Sequence, residues 1–248
     1  MKVQKISNSV FVFSFPLIMP DYEGTVNVGA IIGKNVIYIF DTSWQVAHME
    51  ELKSYLSGIT KLTDYIIIIS HADFDHFLGN AAFPNSEIVS SVACYKAMKK
   101  QTRKGIQKKY GIVLSPREKI ILPTKTFEIG KIYLEDKISI SYYRIHTLDS
   151  VCLYMHDKYI FFAADNVEAP IPYLNHPNLQ KILDEYDRLR SRITNILVPG
   201  HGEICQGKEL LLENIAYIKA LIKKDTAKYE KPPYAEIHQT NMEVLKWK

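Results

Sequence analysis

Short apolar blocks dominate the N-terminal part of the chain. Val3–Ile6, Val10–Phe15, Val26–Ile32 and Val36–Phe40 are rich in Val, Ile and Phe, which predicts four strands. Gly33-Lys34-Asn35 supplies a tight hairpin turn between the last two, and Pro16 to Gly24 reads as a longer loop carrying Met19 and Tyr22. Asp41-Thr42-Ser43 ends the fourth strand and opens a helix near Gln45 to Leu56, where apolar residues fall at helical spacing. The run Ile66 to Ile69 has no polar alternation and predicts a strand buried on both faces. Ile88–Val89 follows as a short strand, and Ser91 to Tyr110 as one long, strongly basic helix. Strands resume at Ile120–Leu122, Thr126–Ile129, Ile132–Leu134, Ile138–Ile145, Val151–Met155 and Tyr159–Ala163, punctuated by Gly130 and the His156-Asp157-Lys158 turn. A proline-rich connection then leads to a helix near Leu179 to Ile193, the strand Ile196–Val198, and an amphipathic helix from Lys208 to Lys224. This order predicts a two-layer β core covered by helices. No linker divides it, so 1–248 reads as a single domain.

The length of 248 residues is ample for a sizeable core. A formal charge of +4 suits modest attraction to anionic small molecules and does not by itself argue for nucleic acid. Cys94, Cys152 and Cys205 are widely spaced, odd in number and without a CxxC, which fits a reducing compartment. Val10 to Met19 is apolar, but it is short, contains Pro16 and leads to Asp21 and Glu23, so it does not read as a signal-peptide core. No stretch reaches the ~20 apolar residues of a membrane span, and the expected location is cytoplasmic. The basic helix carries Lys96, Lys99, Lys100, Arg103, Lys104, Lys108 and Lys109. Such a run is commonly a solvated face, and the sharper reading is a patch for an acidic substrate tail or a partner. Aromatics occur only at its ends, Tyr95 and Tyr110, which disfavours a nucleic-acid surface.

The chemistry concentrates in Tyr65 to Asn80, YIIIISHADFDHFLGN. A buried strand breaks off into His71, Asp73, Asp75 and His76, and imidazole with carboxylate is the donor set of a bound cation. The bland alternative is that Asp73 or Asp75 caps a short helix and the histidines are solvated. Three later positions share the signature of a polar residue at the end of an apolar strand: His146 after Ile145, Asp165 after the IFFAA run, and His201 in PGHG.

In this order and spacing, the residues resemble the metallo-β-lactamase superfamily, whose hallmark is an HxHxDH cluster followed by His, Asp and His at strand ends. The resemblance runs from about Val26 to Gly202 and includes Asp41, the GN after the cluster, and the HT…SV and PGHG phrases. It implies an α/β (α+β) fold, a four-layer αββα sandwich, holding two divalent metal ions, zinc first, with iron or manganese as alternatives. His71, Asp73 and His146 would hold one ion; Asp75, His76 and His201 the other; Asp165 would bridge both. Asp41 would orient the cluster through hydrogen bonds. Asp73 departs from the family, which has a histidine there. With Asp73 as a ligand, three carboxylates and a bridging hydroxide neutralise two divalent ions, and such a carboxylate-rich site suits iron or manganese better than zinc.

The resemblance therefore implies a metal-dependent hydrolase. A metal-bridging hydroxide would attack a small-molecule ester, thioester or lactone, with Asp75 holding the nucleophile. Because Asp73 echoes the acidic residue of flavo-diiron reductases, the alternative is a diiron protein binding or reducing oxygen or nitric oxide, without the flavodoxin domain. A binding or scaffold protein with a weakened site is the third class. Loops decide substrate in such folds, and Met19, Tyr22 and Tyr173 are the candidate pocket walls. Cys152 and Cys205 read as core packing.

Overall fold

Apolar alternation in the N-terminal part resolves into β1 (Lys2–Ser7), β2 (Val10–Met19), β3 (Tyr22–Ile32) and β4 (Ile37–Phe40), an antiparallel meander. The structure, a computed structural model, describes residues 1–20, 22–128 and 131–246. Asp21, Ile129 and Gly130, which bear on the expected loop and strand, lie outside these residues. Pro16 to Gly24 is not a long loop. β2 and β3 stay in register from Val10 opposite Ile31 to Met19 opposite Tyr22. β1 reaches β2 only as far as Ser14, so Pro16 sits where β2 has become an edge and its missing N–H disrupts no ladder.

After β4 the sheet turns parallel through β5 (Tyr65–Ile68), β6 (Glu87–Ser91) and β7 (Lys125–Phe127). Parallel neighbours need crossovers, and helices supply them. α1 (Val46–Ser57) joins β4 to β5; α2 (Phe74–Phe77) and a short 3-10 turn join β5 to β6. α3 (Val92–Lys99) and α4 (Arg103–Tyr110) precede β7. The expected single helix over 91–110 is thus two. Its break follows from like charges three and four residues apart and from Thr102, whose hydroxyl accepts from the Gly105 amide at 3.0 Å and starts a new helix.

The chain divides into two compact units, Met1–Lys137 and Ile138–Lys248, with β8 (Lys131–Leu134) near the end of the first. The core of the first unit packs Phe11, Phe13 and Phe15 of β2 against Met49, Leu52 and Leu56 of α1 and Met98 of α3. Each such buried side chain contributes about 1.5–3 kcal/mol. Alternate residues on the opposite sheet face, among them Val10, Val12 and Phe40, are buried as well, which is why these strands lack a polar face.

In the second unit β9 (Ile138–Tyr142), β10 (Val151–Met155) and β11 (Ile160–Ala164) are antiparallel. β12 (Ile196–Pro199) returns parallel to β11 after α5 (Leu179–Arg190), and β13 (Cys205–Gln206) closes the edge. Tyr154, Phe161 and Leu197 form a core with Ile182 and Tyr186 of α5, Leu211 and Ile218 of α6 (Glu209–Lys223), and Ile237 of α7 (Ala235–Leu245). Among the described residues no helix is long and apolar enough to cross a membrane.

The segment leaving β4 is strapped to the turn after α2. Thr42 donates through its amide to the His76 carbonyl at 2.9 Å, and its hydroxyl meets Asn80 Oδ1 at 2.9 Å. Gly79 donates to the Ser43 carbonyl at 3.1 Å, and a Cβ on Gly79 would lie 1.9 Å from the Thr42 carbonyl oxygen. Only glycine fits. Gly79→Ala is expected to destabilise the protein by about 2–3 kcal/mol through overpacking. Thermal unfolding reads this as a drop of about 5–10 °C, and an unchanged midpoint would show that the strap does not constrain this turn.

Candidate metal centre

The expected ligands lie beyond the carboxyl ends of strands, in the following loops or, for Asp75 and His76, in α2, the end where open α/β sheets place their chemistry. In the first unit the key is Asp41, directly after β4, 1% exposed and held at φ 63°. Its carboxylate accepts from the Ser70 amide at 2.7 Å and the Ser70 hydroxyl at 2.8 Å, and meets His76 Nδ1 at 2.9 Å. The carboxylate must accept, so His76 carries its proton on Nδ1 and presents the Nε2 lone pair. Ser70 has spent its proton on Asp41, so its oxygen accepts from His71 Nδ1 at 2.9 Å. One carboxylate therefore fixes the tautomer and orientation of both histidines, His76 directly and His71 through Ser70.

Their two Nε2 atoms each lie beside an aspartate oxygen. His71 Nε2 stands 3.4 Å from Asp73 Oδ2, and His76 Nε2 stands 3.5 Å from Asp75 Oδ2. Two ligands of one tetrahedral ion, each about 2.0–2.1 Å from it, stand about 3.3 Å apart. The donor pairs have that spacing. Asp73 occupies the N-cap position of α2, yet its side chain makes no capping hydrogen bond. The capping alternative for Asp73 therefore fails.

The second unit repeats the logic. Asp165 follows β11 after a register irregularity between Phe162 and Ala164, and Ala164 is held at φ 47°, so local strain re-aims the carboxylate. Asp165 Oδ2 lies 3.3 Å from His201 Nε2 and 3.8 Å from His146 Nε2, so one oxygen is shared between two imidazoles. A Cβ at Gly200 would stand 1.8 Å from Asp165 Oδ1, which explains the glycine before His201. Asn166 Oδ1 accepts from the amides of Ile145 and His146, both at 3.3 Å, and its own amide donates to the Ala163 carbonyl at 3.1 Å. Thr147 and Ser150 close the turn after His146.

Sequence reasoning missed Glu168. It is 6% exposed, its Oε2 lies 3.6 Å from His146 Nδ1, and it accepts from the Tyr173 amide at 2.8 Å. Burial pushes its carboxyl up, and His146 opposes that shift. Asn214 of α6 brackets the same residue through the Glu168 amide and carbonyl. Glu168 faces His146 more loosely than Asp41 holds His76, and the Asn175 side-chain amide stands 3.2 Å from His146 Nε2. The available signal was an unexplained acid three residues beyond Asp165. Ser70, adjacent to His71, was also missed.

Other candidates settle into packing. Burial raises the Cys152 thiol, which donates to the Ala163 carbonyl at 3.4 Å, so Cys152 is a core residue. Cys205 lies in β13, with its thiol also raised by partial burial. Met19 and Tyr22 line an open cavity of about 400 Å³ with Tyr110 and Lys109, whereas Tyr173 packs against the second core.

The model of the metallo-beta-lactamase superfamily matches residues 21–201. The chain belongs to this superfamily. The fold agrees: the α+β architecture of two sheets matches VMB-1 with a TM-score of 0.72 at 16% identity, covering 89% of this chain and 97% of that one. A metallo-β-lactamase from Hirschia baltica gives a TM-score of 0.67 at 18% identity over 88% and 96% of the two chains. The metallo-β-lactamase FIM-1 from Pseudomonas aeruginosa, in its mono-zinc form, gives 0.69 at 13% identity over 89% and 95%. A comparison with curated proteins returned no match. Metal-dependent hydrolysis is the reaction class that superfamily membership brings, and the histidine and aspartate pairs of each unit fit a divalent cation in donor type and spacing.

Asp41→Asn is expected to weaken metal binding about 10–100-fold, because the amide cannot accept from the Ser70 groups and His76 together. Ser70→Ala should cost less, since His76 keeps its partner. Titration against a competing chelator checks both, and equal affinities in all three proteins would remove Asp41 from this role.

Proposed function

We propose that the chain is a hydrolase of a small-molecule ester, thioester or lactone, working with two divalent ions, zinc first. The observation that carries this is donor spacing: each pair within a unit stands 3.3–3.8 Å apart, as ligands of shared ions do. By the superfamily pattern, His71, Asp73 and His146 would hold one ion and Asp75, His76 and His201 the other, with Asp165 serving both. When bound, the ions supply a water of lowered pKa and positive charge for the developing oxyanion. Asp75 accepts a hydrogen bond from the attacking water and fixes its direction. Asp41 keeps His76, and through Ser70 His71, in the tautomers that bind. Three free cysteines favour a cytoplasmic enzyme, and aromatics only at the ends of the basic run, Tyr95 and Tyr110, favour small molecules over nucleic acid.

A second reading has its own observation. Asp73 stands in the donor pair of His71, and Glu168 adds a buried carboxylate beside His146, a set rich in oxygen that suits iron. A diiron protein that binds or reduces oxygen or nitric oxide follows from it. Iron with visible absorption in protein purified without added metal would support that reading over hydrolysis.

The test of the hydrolase reading is elemental analysis beside ester hydrolysis. The protein is expected to carry two metal ions per chain, and chelation to abolish hydrolysis and lower the melting temperature by several degrees. His76→Ala and His201→Ala should each lose metal and reduce kcat/KM at least about 100-fold. Full activity after chelation would overturn the reading.

A further inference from the structure

The break between α3 and α4 opens a cavity of about 290 Å³ beside a proposed metal ligand. Asp73 forms one wall, Lys100 and Lys109 bring positive charge, and Ile106 and Tyr110 provide apolar surface. The break is held in place. Gln101, between the two helices, donates from its side-chain amide to the carbonyl of Ala72, in the loop that carries His71 and Asp73. Lys109 is also positioned: its ammonium donates to the Tyr110 hydroxyl at 2.8 Å and lies 4.6 Å from that ring's centroid, which leaves two of its three donors for a ligand. Tyr110 packs its ring on Phe74 at 4.4 Å, and burial, with Asp73 and Asp75 nearby, raises its hydroxyl. Lys100 and Lys109 supply the positive charge of this cavity.

Charge explains why lysines belong here. Asp73 brings a negative charge where the superfamily pattern has a neutral histidine, so the metal donors alone attract an anion less. Lys100 and Lys109 restore positive potential one step away from the reacting centre, over an opening of small-molecule size. We propose that this cavity binds an anionic group of the substrate, a carboxylate or a phosphate, carried away from the bond that is cut. The stem of that substrate lies along Ile106 and Tyr110, and the anion pairs with Lys100 and Lys109. This rests on the hydrolase reading for the word substrate, but the anion site itself does not.

The experiment compares a neutral ester, p-nitrophenyl acetate, with mono-p-nitrophenyl glutarate and with the acetyl thioester of phosphopantetheine. It uses the metal-loaded protein and its Lys100→Ala and Lys109→Ala variants, with Lys104→Ala, outside the cavity wall, as control. Calorimetric titration with glutarate and with inorganic phosphate supplies a readout that needs no turnover. The protein is expected to prefer the anionic substrate. Each cavity variant should lose that preference about tenfold and bind the matching probe about tenfold more weakly, the effect of one charge-assisted contact. Metal content should hold, and Lys104→Ala should behave as the parent protein does. Which probe responds tells carboxylate from phosphate. Probe binding that is the same in the parent and both variants overturns the proposal. So does a loss of metal without a change in probe binding, which would mean that the lysines only neutralise Asp73. If no ester is cleaved while glutarate or phosphate binding still depends on Lys100 and Lys109, the anion site stands and the hydrolase reading falls.

Discussion

The carboxylate of Asp41 accepts from the amide and hydroxyl of Ser70 and from the ring of His76, and through these bonds two buried histidines hold one orientation each. A carboxylate at 1% exposure is costly to bury. Here every lone pair that matters has a donor, and the strained backbone at φ 63° is the local consequence of aiming the side chain back over the end of β5. The strap of Thr42, Gly79 and Asn80 then ties the same segment to the turn after α2. Remove the constraint and the imidazoles keep their positions in sequence but lose their common direction.

The second unit solves the same problem with different parts. Buried Glu168 stands beside His146, and Asn166 fixes the turn before that ligand by accepting from the amides of Ile145 and His146. Asn214 and Asn241 anchor this region from the helices behind it: Asn214 through Glu168, and Asn241 through the Leu174 amide and the Pro172 carbonyl. These amides act as backbone substitutes along a connection that forms no strand or helix of its own. Donors placed by such a shell need little reorganisation when a cation arrives.

Most strands and the polar residues that end them were legible because each rests on a local contrast, an unbroken apolar run followed by a polar break, whereas the expected strand Ile120–Leu122 does not form. The tetrad His71, Asp73, Asp75 and His76 lies within six residues and is visible without any fold. What escaped notice depends on partners distant in sequence. Pro16 lies within a strand because β1 stops short of it, which no local pattern encodes. The helix break that like charges and Thr102 set is tied at Gln101 to the carbonyl of Ala72, 29 residues away. Glu168 becomes meaningful only beside His146, and α7 has an even mixture of polar and apolar residues whose value lies in one asparagine facing the proline-rich connection. Asp73 is the intermediate case: sequence marks it as unusual, and its missing capping bond with its 3.4 Å approach to His71 Nε2 gives it a role.

That role is the claim on which metal identity, site charge and the demand for lysines all depend. Crystals of the protein purified without added metal, with anomalous data collected at the zinc and iron edges, test it directly. The account predicts two ions, with an Asp73 oxygen about 2.0–2.2 Å from the ion that His71 binds. A single ion held by Asp75, His76 and His201, with the Asp73 side chain turned away or capping α2, would contradict it.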